Sequence, residues 1–191
     1  MHIHQFFTAQ LFDDNECEKI LDITKGGKLQ PGTTLAHGQK NKKSWARNCD
    51  LKWFPPTAQT QWIFQTLGNA VRDINMKTLQ FNLDGGMEHL QYLEYRMGQY
   101  YGHHTDNSDD KVATRKFTAV VQLSNPKDYV GGSLKVEGLS PTRRGKGFNK
   151  APKNRGMLIL FPSHLNHVAM PVLWGKRKVM VCWFHGKEAL R

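Results

Sequence analysis

Between Leu79 and Phe184 the sequence consists of short runs rich in β-branched and aromatic residues, and Gly, Pro, Asn and Asp separate these runs. The runs with the length and composition of strands are LQFNL, HLQYLEYR, KFTAVVQL, GSLKVE, GMLILF and KVMVCWF. Many short strands in one chain are typical of a β-sandwich or jelly roll. We therefore expect an α+β, mainly β fold, with helices from the N-terminal part packed on one sheet.

The residues before Leu79 favour two helices. Asp13 and Glu16 have the spacing of a capping box, which predicts a helix over Asp14 to Lys25. Apolar residues at helical spacing after the Pro55-Pro56 pair predict a second helix from Thr57 to Met76. The length of 191 residues suits a single domain over 1–191, with 1–78 as a helical support region and 79–191 as the jelly-roll core.

Composition narrows the class of protein. The net charge of +11 and the isoelectric point of about 9.7 favour phosphates, acidic peptides or anionic surfaces as partners. We expect a cytoplasmic protein with no membrane partner, because the N-terminus lacks the pattern of a secretory signal and no apolar run is long enough to span a bilayer. Cys17, Cys49 and Cys182 are far apart, which favours free thiols over a disulfide framework or a zinc knuckle.

The segment YGHHTD, from Tyr101 to Asp106, is the first candidate for metal binding. In a strand, alternate residues point to the same side, so His104 and Asp106 can present an imidazole and a carboxylate to one ion while His103 points away. A single His-x-Asp pair occurs often by chance in solvated loops. A metal site requires further ligands.

A later segment, FPSHLNHVAMPVLWGKRKVMVCWF, offers His164 and His167 between two apolar runs. A jelly roll can bring an early and a late strand together, so a distant histidine can complete a set of two histidines and one carboxylate. That set leaves coordination positions open and is the ligand pattern of non-haem Fe(II) oxygenases. Spacing alone does not choose between the two histidines.

From about Leu79 to Trp183 the chain resembles the prolyl/lysyl hydroxylase-type Fe(II)/2-oxoglutarate-dependent dioxygenases, a prolyl 4-hydroxylase-like family. The similar segments are YRMGQYYGHHTD, VVQLSNPKDYVGGSL and GMLILFPSHLNHVAMPVLWGKR, which follow one another in the family's order. The resemblance implies a double-stranded β-helix and makes His104, Asp106 and His167 the iron ligands. It leaves His164 as a turn residue.

The resemblance also implies how 2-oxoglutarate binds. Arg177 matches the family's cation for the distal carboxylate, and its planar guanidinium suits bidentate binding. Lys176 and Lys178 alternate to the opposite strand face. Tyr95 resembles the family tyrosine that donates to the same carboxylate, and Tyr101 is a candidate substrate-binding residue.

The activity implied is hydroxylation of a prolyl residue in a peptide or protein, coupled to decarboxylation of 2-oxoglutarate to succinate. Fe(II) and 2-oxoglutarate are the expected cofactor and cosubstrate, with ascorbate as the reductant. Such chemistry requires no protein nucleophile or general base, so we expect no catalytic side chain of that kind. Ser133 after Gly131-Gly132 departs from the family, where an acidic residue is commoner, which puts substrate contacts near that strand in question.

Two basic segments bear on the substrate. The loop 138–155, which includes Arg143 and Arg144, is either solvated or recruits an acidic or phosphate-bearing substrate. The segment HGQKNKKSWARNCDLKWF combines basic residues with Trp45 and Trp53, which either stack on nucleic-acid bases or pack under the helices. Its basic residues are Lys40, Lys42, Lys43 and Arg47. The sequence does not fix the oligomeric state.

Two other hypotheses remain open. The same chemistry can act on a free amino acid or on a nucleic-acid or ribosome-associated substrate, although the arginine-rich motif of nucleic-acid demethylases does not follow the last histidine. The third hypothesis is a jelly-roll binding module without turnover. Release of succinate from 2-oxoglutarate separates the enzymes from the module, and the mass of the modified product separates the two enzymes.

Overall fold

A computed structural model of the protein describes residues 6–32, 46–108, 110–139 and 146–189. Several residues discussed above lie outside these ranges: Lys40, Lys42, Lys43, Trp45, Arg143 and Arg144. The described elements, in chain order, are β1 (Phe7–Gln10), α1 (Asp14–Lys25), β2 (Gln30–Pro31), β3 (Arg47–Asn48), β4 (Asp50–Phe54), α2 (Gln61–Lys77), β5 (Gly86–Met87), β6 (Leu90–Arg96), β7 (Tyr100–His104), β8 (Arg115–Gln122), β9 (Tyr129–Gly131), β10 (Leu134–Leu139), β11 (Lys146–Lys150), β12 (Met157–Pro162), β13 (His167–Ala169) and β14 (Val172–His185).

The strands form two antiparallel sheets. The major sheet has the order β1-β12-β8-β14-β6-β4-β2, and β5 and β9 also pair with β14. The minor sheet has the order β11-β10-β13-β7-β3. The mainly β architecture with two helices confirms the fold class predicted from the sequence.

The helices cover one face of the major sheet, and the minor sheet lies over the other. On β8, Phe117, Ala119 and Val121 pack against the helices, whereas Val120 packs against the minor sheet. On β14, Met180, Cys182 and Phe184 alternate in the same way with Val179, Val181 and Trp183. Because both faces of β14 are buried between the helices and the minor sheet, its run Val179 to Phe184 is continuously apolar.

Helix α1 begins and ends where the sequence predicts. Asp13 Oδ1 accepts a hydrogen bond from the Glu16 N–H at 2.8 Å, and Glu16 Oε2 accepts one from the Asp13 N–H at 2.9 Å. Such caps stabilise a helix by about 1 kcal/mol. Helix α2 begins at Gln61 rather than Thr57, because Thr57 to Thr60 form a turn in which the Thr60 hydroxyl accepts from the Thr57 N–H at 2.8 Å.

The strand predicted over LQFNL, residues 79–83, is wrong. That segment is irregular, and Gln80 has a positive φ of 52°. The Asn75 amide holds the main chain of Phe81 through two hydrogen bonds of 2.8 Å, one to its carbonyl and one from its N–H. These bonds occupy the groups that a strand would use for pairing.

Strands also come from the first 78 residues, where the sequence favours a helical support. β1 pairs with β12, β4 pairs with β6, and β3 pairs with β7. The three cysteines are free, as predicted, and all three are buried. No helix in the described part of the chain has the length and apolar character needed to cross a membrane.

Candidate metal centre

A cavity of about 980 Å³ lies between the two sheets. Its walls include Leu93 and Val179 from the major sheet and Leu134 and Ala169 from the minor sheet. Of the histidines and cations singled out in the sequence, His104, His167, Arg47 and Arg177 line this cavity. Its apolar walls and few convergent polar groups are typical of a small-molecule site.

Pairing between β7 and β13 brings the candidate ligands together. His167 lies opposite His104 in the antiparallel pair, and the register shifts between His167 and Ala169. Asp106 follows the end of β7, and its N–H donates to the Ser163 carbonyl at 2.9 Å, which fixes the turn. One ligand atom each from His104, Asp106 and His167 can be chosen so that all lie within 4.8 Å of one another.

The hydrogen bonds around these side chains orient them. The Nδ1 atoms of His104 and His167 lie 2.8 Å from the Gly102 carbonyl and 3.0 Å from the Leu165 carbonyl. A ring nitrogen that donates to a carbonyl leaves the other nitrogen as a lone-pair donor, so both Nε2 atoms are free to bind a metal. Each Nε2 lies 3.5 Å from a carboxylate oxygen of Asp106.

The pKa shifts of His104 and Asp106 favour the protonation states in which these two side chains bind a metal. Burial, followed by the charge of His167, lowers the pKa of His104 to about 4. Burial alone would raise the pKa of Asp106, but His167, His104 and the 2.7 Å hydrogen bond from Thr118 outweigh it and lower the pKa. A neutral imidazole and an ionised carboxylate are the forms that coordinate metals.

The donor set fits Fe(II). Two histidines and one carboxylate leave coordination positions open for a bidentate cosubstrate, whereas structural zinc sites usually have four protein ligands and magnesium sites more oxygen ligands. His103 is exposed, and its ring lies edge-on to Phe148 with centroids 4.8 Å apart, outside the cluster. His164 is exposed as well.

Arg177 lies in the cavity wall with 2% of its surface exposed. Its Nη2 donates to Gln122 Oε1 at 3.2 Å, and its Nε has no hydrogen-bond partner among the described residues. A buried donor without a partner is costly unless a ligand completes it. The Arg177 guanidinium therefore fits the distal carboxylate of 2-oxoglutarate.

Tyr95 lies beside this cation, and its ring centroid is 5.5 Å from the Arg177 guanidinium carbon. Tyr95 is buried, which raises the pKa of its hydroxyl and keeps it a neutral donor. Lys176 and Lys178 are less buried than Arg177, as strand alternation predicts. Gly132 has a φ of +60°, and a Cβ there would lie 3.1 Å from Arg177 Cδ.

Tyr101 stacks on His104, with ring centroids 3.5 Å apart and an interplanar angle of 13°. The Arg47 guanidinium lies over the Tyr101 ring, and its carbon is 4.7 Å from the ring centroid. Tyr101 therefore lies in the wall beside the candidate ligands, where the sequence places it. Arg47, one of the basic residues of the segment HGQKNKKSWARNCDLKWF, also lines the cavity and is only 9% exposed.

Sequence reasoning missed Arg115 altogether. Its guanidinium donates to both carboxylate oxygens of Glu88, at 2.5 and 2.7 Å, and to the Asp106 carbonyl at 3.1 Å. It also lies 4.0 Å from the ring centroid of Trp183, which lines the cavity. Strand alternation marks Trp183 and Thr118 as facing the cavity, but the partners of Arg115 are set by tertiary packing.

Comparison with known proteins places this site in context. Residues 90–185 match the model of the 2OG-Fe(II) oxygenase superfamily. A PKHD-type hydroxylase from Idiomarina loihiensis is 32% identical over 89 residues, which cover 47% of this chain and 38% of that protein. A PKHD-type hydroxylase from Crocosphaera subtropica is 26% identical over 181 residues, which cover 92% of this chain and 75% of that protein.

Solved structures show the same fold. A Pseudomonas putida prolyl-4-hydroxylase superposes with a TM-score of 0.70 at 17% identity, over 97% of this chain and 95% of that one. A Trichoplax adhaerens prolyl hydroxylase, in complex with a hypoxia inducible factor peptide fragment, superposes with a TM-score of 0.76 at 16% identity, over 97% and 85% of the two chains.

Proposed function

The chain belongs to the 2OG-Fe(II) oxygenase superfamily, and from this membership we propose that it hydroxylates a prolyl residue of a peptide or protein while 2-oxoglutarate is decarboxylated to succinate. The observation that carries the proposal is the joint presence, in one cavity, of the His104, Asp106 and His167 cluster and the buried cation Arg177. The similarity to prolyl hydroxylase structures, one of them in complex with a peptide fragment, supports a peptidyl substrate.

We assign His104, Asp106 and His167 as the metal ligands. The Gly102 and Leu165 carbonyls hold the two imidazoles so that each Nε2 would be available to a bound ion, and Thr118 orients the carboxylate. When bound, Fe(II) and 2-oxoglutarate supply the oxygen-activating chemistry and the oxidising power. Ascorbate is the expected reductant for the iron.

The chain's own residues bind 2-oxoglutarate and orient it. Arg177 binds the distal carboxylate of 2-oxoglutarate, and Tyr95 donates to the same group. Gly132 leaves room for the Arg177 side chain. The apolar wall of Leu93, Val120 and Val179 excludes water from this end of the cavity, which strengthens the ion pair.

The peptide substrate binds on the side of the metal cluster that is away from Arg177. Tyr101 contacts the ring of His104 and lines the cavity, so its phenol is positioned to contact the peptide near the reacting carbon. Replacing a hydrogen atom on the substrate carbon by a hydroxyl group needs no side-chain base. The role of the protein is to hold the prolyl ring against the metal cluster.

The test is a peptide library incubated with Fe(II), ascorbate and 2-oxoglutarate and searched for a mass gain of one oxygen. Succinate is measured in the same samples. We expect oxidised proline-containing peptides with at least one succinate formed per oxygen gained, and neither product with Asp106→Ala. Oxidation of free amino acids or oligonucleotides instead of peptides would overturn the substrate assignment, and the absence of succinate under every condition would overturn the oxygenase assignment.

A further inference from the structure

Two buried hydroxyl groups form a chain of hydrogen bonds that ends on the Asp106 carboxylate. The Thr118 hydroxyl donates to Asp106 Oδ2 at 2.7 Å, and Ser163 Oγ lies 3.1 Å from Thr118 Oγ1. Thr118 lies on β8, and Ser163 is the first residue after β12. Thr118 is 1% exposed and Ser163 is 0% exposed, so water does not compete for these hydrogen bonds.

The number of available protons fixes the direction of this chain. An ionised carboxylate can only accept hydrogen bonds, so the single proton of the Thr118 hydroxyl is used on Asp106. Thr118 Oγ1 can then only accept from its other neighbour, which makes Ser163 Oγ the donor of the 3.1 Å bond. A hydroxyl that accepts one hydrogen bond is polarised and donates a stronger one. Ser163 therefore strengthens the bond that Thr118 makes to Asp106.

The two oxygens of the Asp106 carboxylate have different surroundings. Oδ2 accepts from Thr118, whereas Oδ1 lies 3.5 Å from His104 Nε2. The terminal torsion of an aspartate has broad minima, so the side chain alone does not fix the rotation of its carboxylate. The hydrogen bond to Oδ2 selects one rotation, in which Oδ1 lies on the side of His104.

The turn that contains Ser163 also contacts the candidate ligands through its main chain. The Ser163 carbonyl accepts from the Asp106 N–H at 2.9 Å, and the Leu165 N–H donates to the Pro162 carbonyl at 3.0 Å. The Leu165 carbonyl in turn lies 3.0 Å from His167 Nδ1. One short turn therefore holds two of the three candidate ligands.

Packing alone does not explain a hydroxyl at position 163. A buried hydroxyl costs free energy unless it is hydrogen-bonded, and an alanine would occupy the same place without that cost. Among the described residues, Ser163 Oγ forms a hydrogen bond with Thr118 alone, and the proton of Thr118 is used on Asp106. The hydroxyl of Ser163 therefore acts on the carboxylate.

We propose that Ser163 is a positioning residue of the metal centre. Its hydroxyl fixes and polarises the hydroxyl of Thr118, which holds the Asp106 carboxylate in the rotation that binds the metal. This inference rests on the proposed function, because it takes Asp106 as a metal ligand. It adds a residue that touches neither the metal nor the ligand side chain to those that set the affinity for the metal.

The experiment measures the binding of Co(II) alone to the metal-free protein. The visible absorption of the bound ion gives the affinity, and the position of its bands reports the geometry of the ligands. We expect Thr118→Val to weaken binding by roughly 10- to 100-fold, the usual effect of removing a group that hydrogen-bonds to a ligand. Ser163→Ala should weaken binding by roughly 3- to 10-fold, since it removes one neutral hydrogen bond. Both should shift the bands, whereas Thr118→Ser, which keeps the hydroxyl, should bind Co(II) as the wild type does.

A double variant tests whether Ser163 acts through Thr118. In Thr118→Val the Ser163 hydroxyl has no route to the carboxylate, so the addition of Ser163→Ala should cause no further loss of Co(II) affinity. If the two residues affected the fold independently, the two losses would multiply instead. The double variant thus separates a positioning role from a merely structural one.

Ser124→Ala and Thr60→Val are the matched controls, because each removes a buried hydroxyl whose hydrogen bonds lie outside the metal centre. Ser124 is 6% exposed and donates to the Lys176 carbonyl at 3.2 Å. Thr60 is 3% exposed and donates to the Pro55 carbonyl at 2.8 Å. Both variants should melt at a lower temperature and keep the wild-type affinity and absorption. If Thr118→Val does not fold, the comparison of Ser163→Ala with Ser124→Ala still decides.

The outcomes separate the inference from the function on which it rests. Wild-type affinity and absorption in Ser163→Ala would overturn the inference, and so would a further loss of affinity in the double variant. The oxygenase function fails by a different result. If Co(II) binding depends on Ser163 but no Fe(II)-loaded sample releases succinate from 2-oxoglutarate, Ser163 keeps its positioning role and the oxygenase function is removed.

Discussion

His104 and His167 lie directly opposite each other on antiparallel strands, with ring centroids 4.1 Å apart, although they are far apart in the chain. His103, the immediate neighbour of His104, is exposed and packs against Phe148 instead. The doubled histidine therefore contributes one imidazole to the cluster. The two side chains point in different directions because they are consecutive residues of one strand.

This arrangement predicts opposite outcomes for two neighbouring substitutions. His104→Ala should lower the affinity for Fe(II) by more than roughly 100-fold, because losing a ligand costs more than the 10- to 100-fold lost when a group that hydrogen-bonds to a ligand is removed. His103→Ala should keep the wild-type affinity within a few-fold. Anaerobic Fe(II) titration in the presence of 2-oxoglutarate, followed by the visible absorption of the chelate, measures both. Equal losses in the two variants would show that the ligand was chosen wrongly.

The cosubstrate cation is tested by Arg177→Gln. Truncating one partner of a buried charge pair costs about 2–5 kcal/mol, so the KM for 2-oxoglutarate should rise by at least roughly 30-fold. Fe(II) binding should persist, because Arg177 does not belong to the metal cluster. Lys176→Gln is the control: Lys176 is adjacent on the strand but its side chain is 58% exposed, and its variant should keep the wild-type KM. A similar KM in both variants would exclude Arg177 from this role.

Strand patterns in the sequence predict much of this arrangement but not all of it. Alternation places His104 and Asp106 on one side and His103 on the other, because that rule depends on backbone geometry alone. Alternation does not reveal which late histidine meets them, since the pairing of β7 with β13 is a tertiary choice, and only the family resemblance favours His167 over His164. The assignment of all three as iron ligands remains a prediction.

The remaining differences between the prediction and the structure are caused by contacts between residues that are not neighbours in the sequence. The segment at residues 79–83 has the composition of a strand, but the Asn75 amide binds Phe81 and holds the segment irregular. Arg47 belongs to a polar and basic segment whose composition does not predict a place in the cavity, yet the short pairing of β3 with β7 places its side chain there. Neither contact leaves a local signal in the sequence.

Glu88 should make the fold sensitive to acid. Burial alone would raise the pKa of Glu88, but the hydrogen bonds and charges of Arg115 and His185 outweigh it and hold the pKa below its ordinary value. A carboxylate with a lowered folded-state pKa stabilises the fold above its unfolded pKa, and this contribution disappears as the pH falls through the folded pKa. Part of the unfolding free energy should therefore be lost below about pH 4.

The measurement is the melting temperature of wild type and Glu88→Gln across pH. At neutral pH the variant should melt roughly 3–12 °C lower, from a loss of roughly 1.5–3 kcal/mol. The difference should shrink as the pH falls below the usual glutamate range, because the wild-type carboxylate is then protonated. Glu18→Gln is the control. It removes a 2.6 Å ion pair to Arg155, but the Glu18 side chain is 60% exposed, so the melting temperature should change little at any pH. If the difference in melting temperature between Glu88→Gln and wild type does not change with pH, the Glu88 carboxylate is not its source.

Gly132 provides a test of how closely Arg177 is positioned. Gly132 has a φ of +60°, and a Cβ there would lie 2.9 Å from Val172 Cγ2 and 3.1 Å from Arg177 Cδ. Gly132→Ala should therefore displace the guanidinium and raise the KM for 2-oxoglutarate by about 10-fold, since such overpacking costs roughly 1–3 kcal/mol. Gly86→Ala is a matched control, because Gly86 has a φ of +85° with no atom within 4 Å of the added Cβ. Both variants should lose about 1–2 kcal/mol of stability from the left-handed backbone, but only Gly132→Ala should weaken 2-oxoglutarate binding. If the two variants shift this KM equally, backbone strain rather than contact with Arg177 sets the effect.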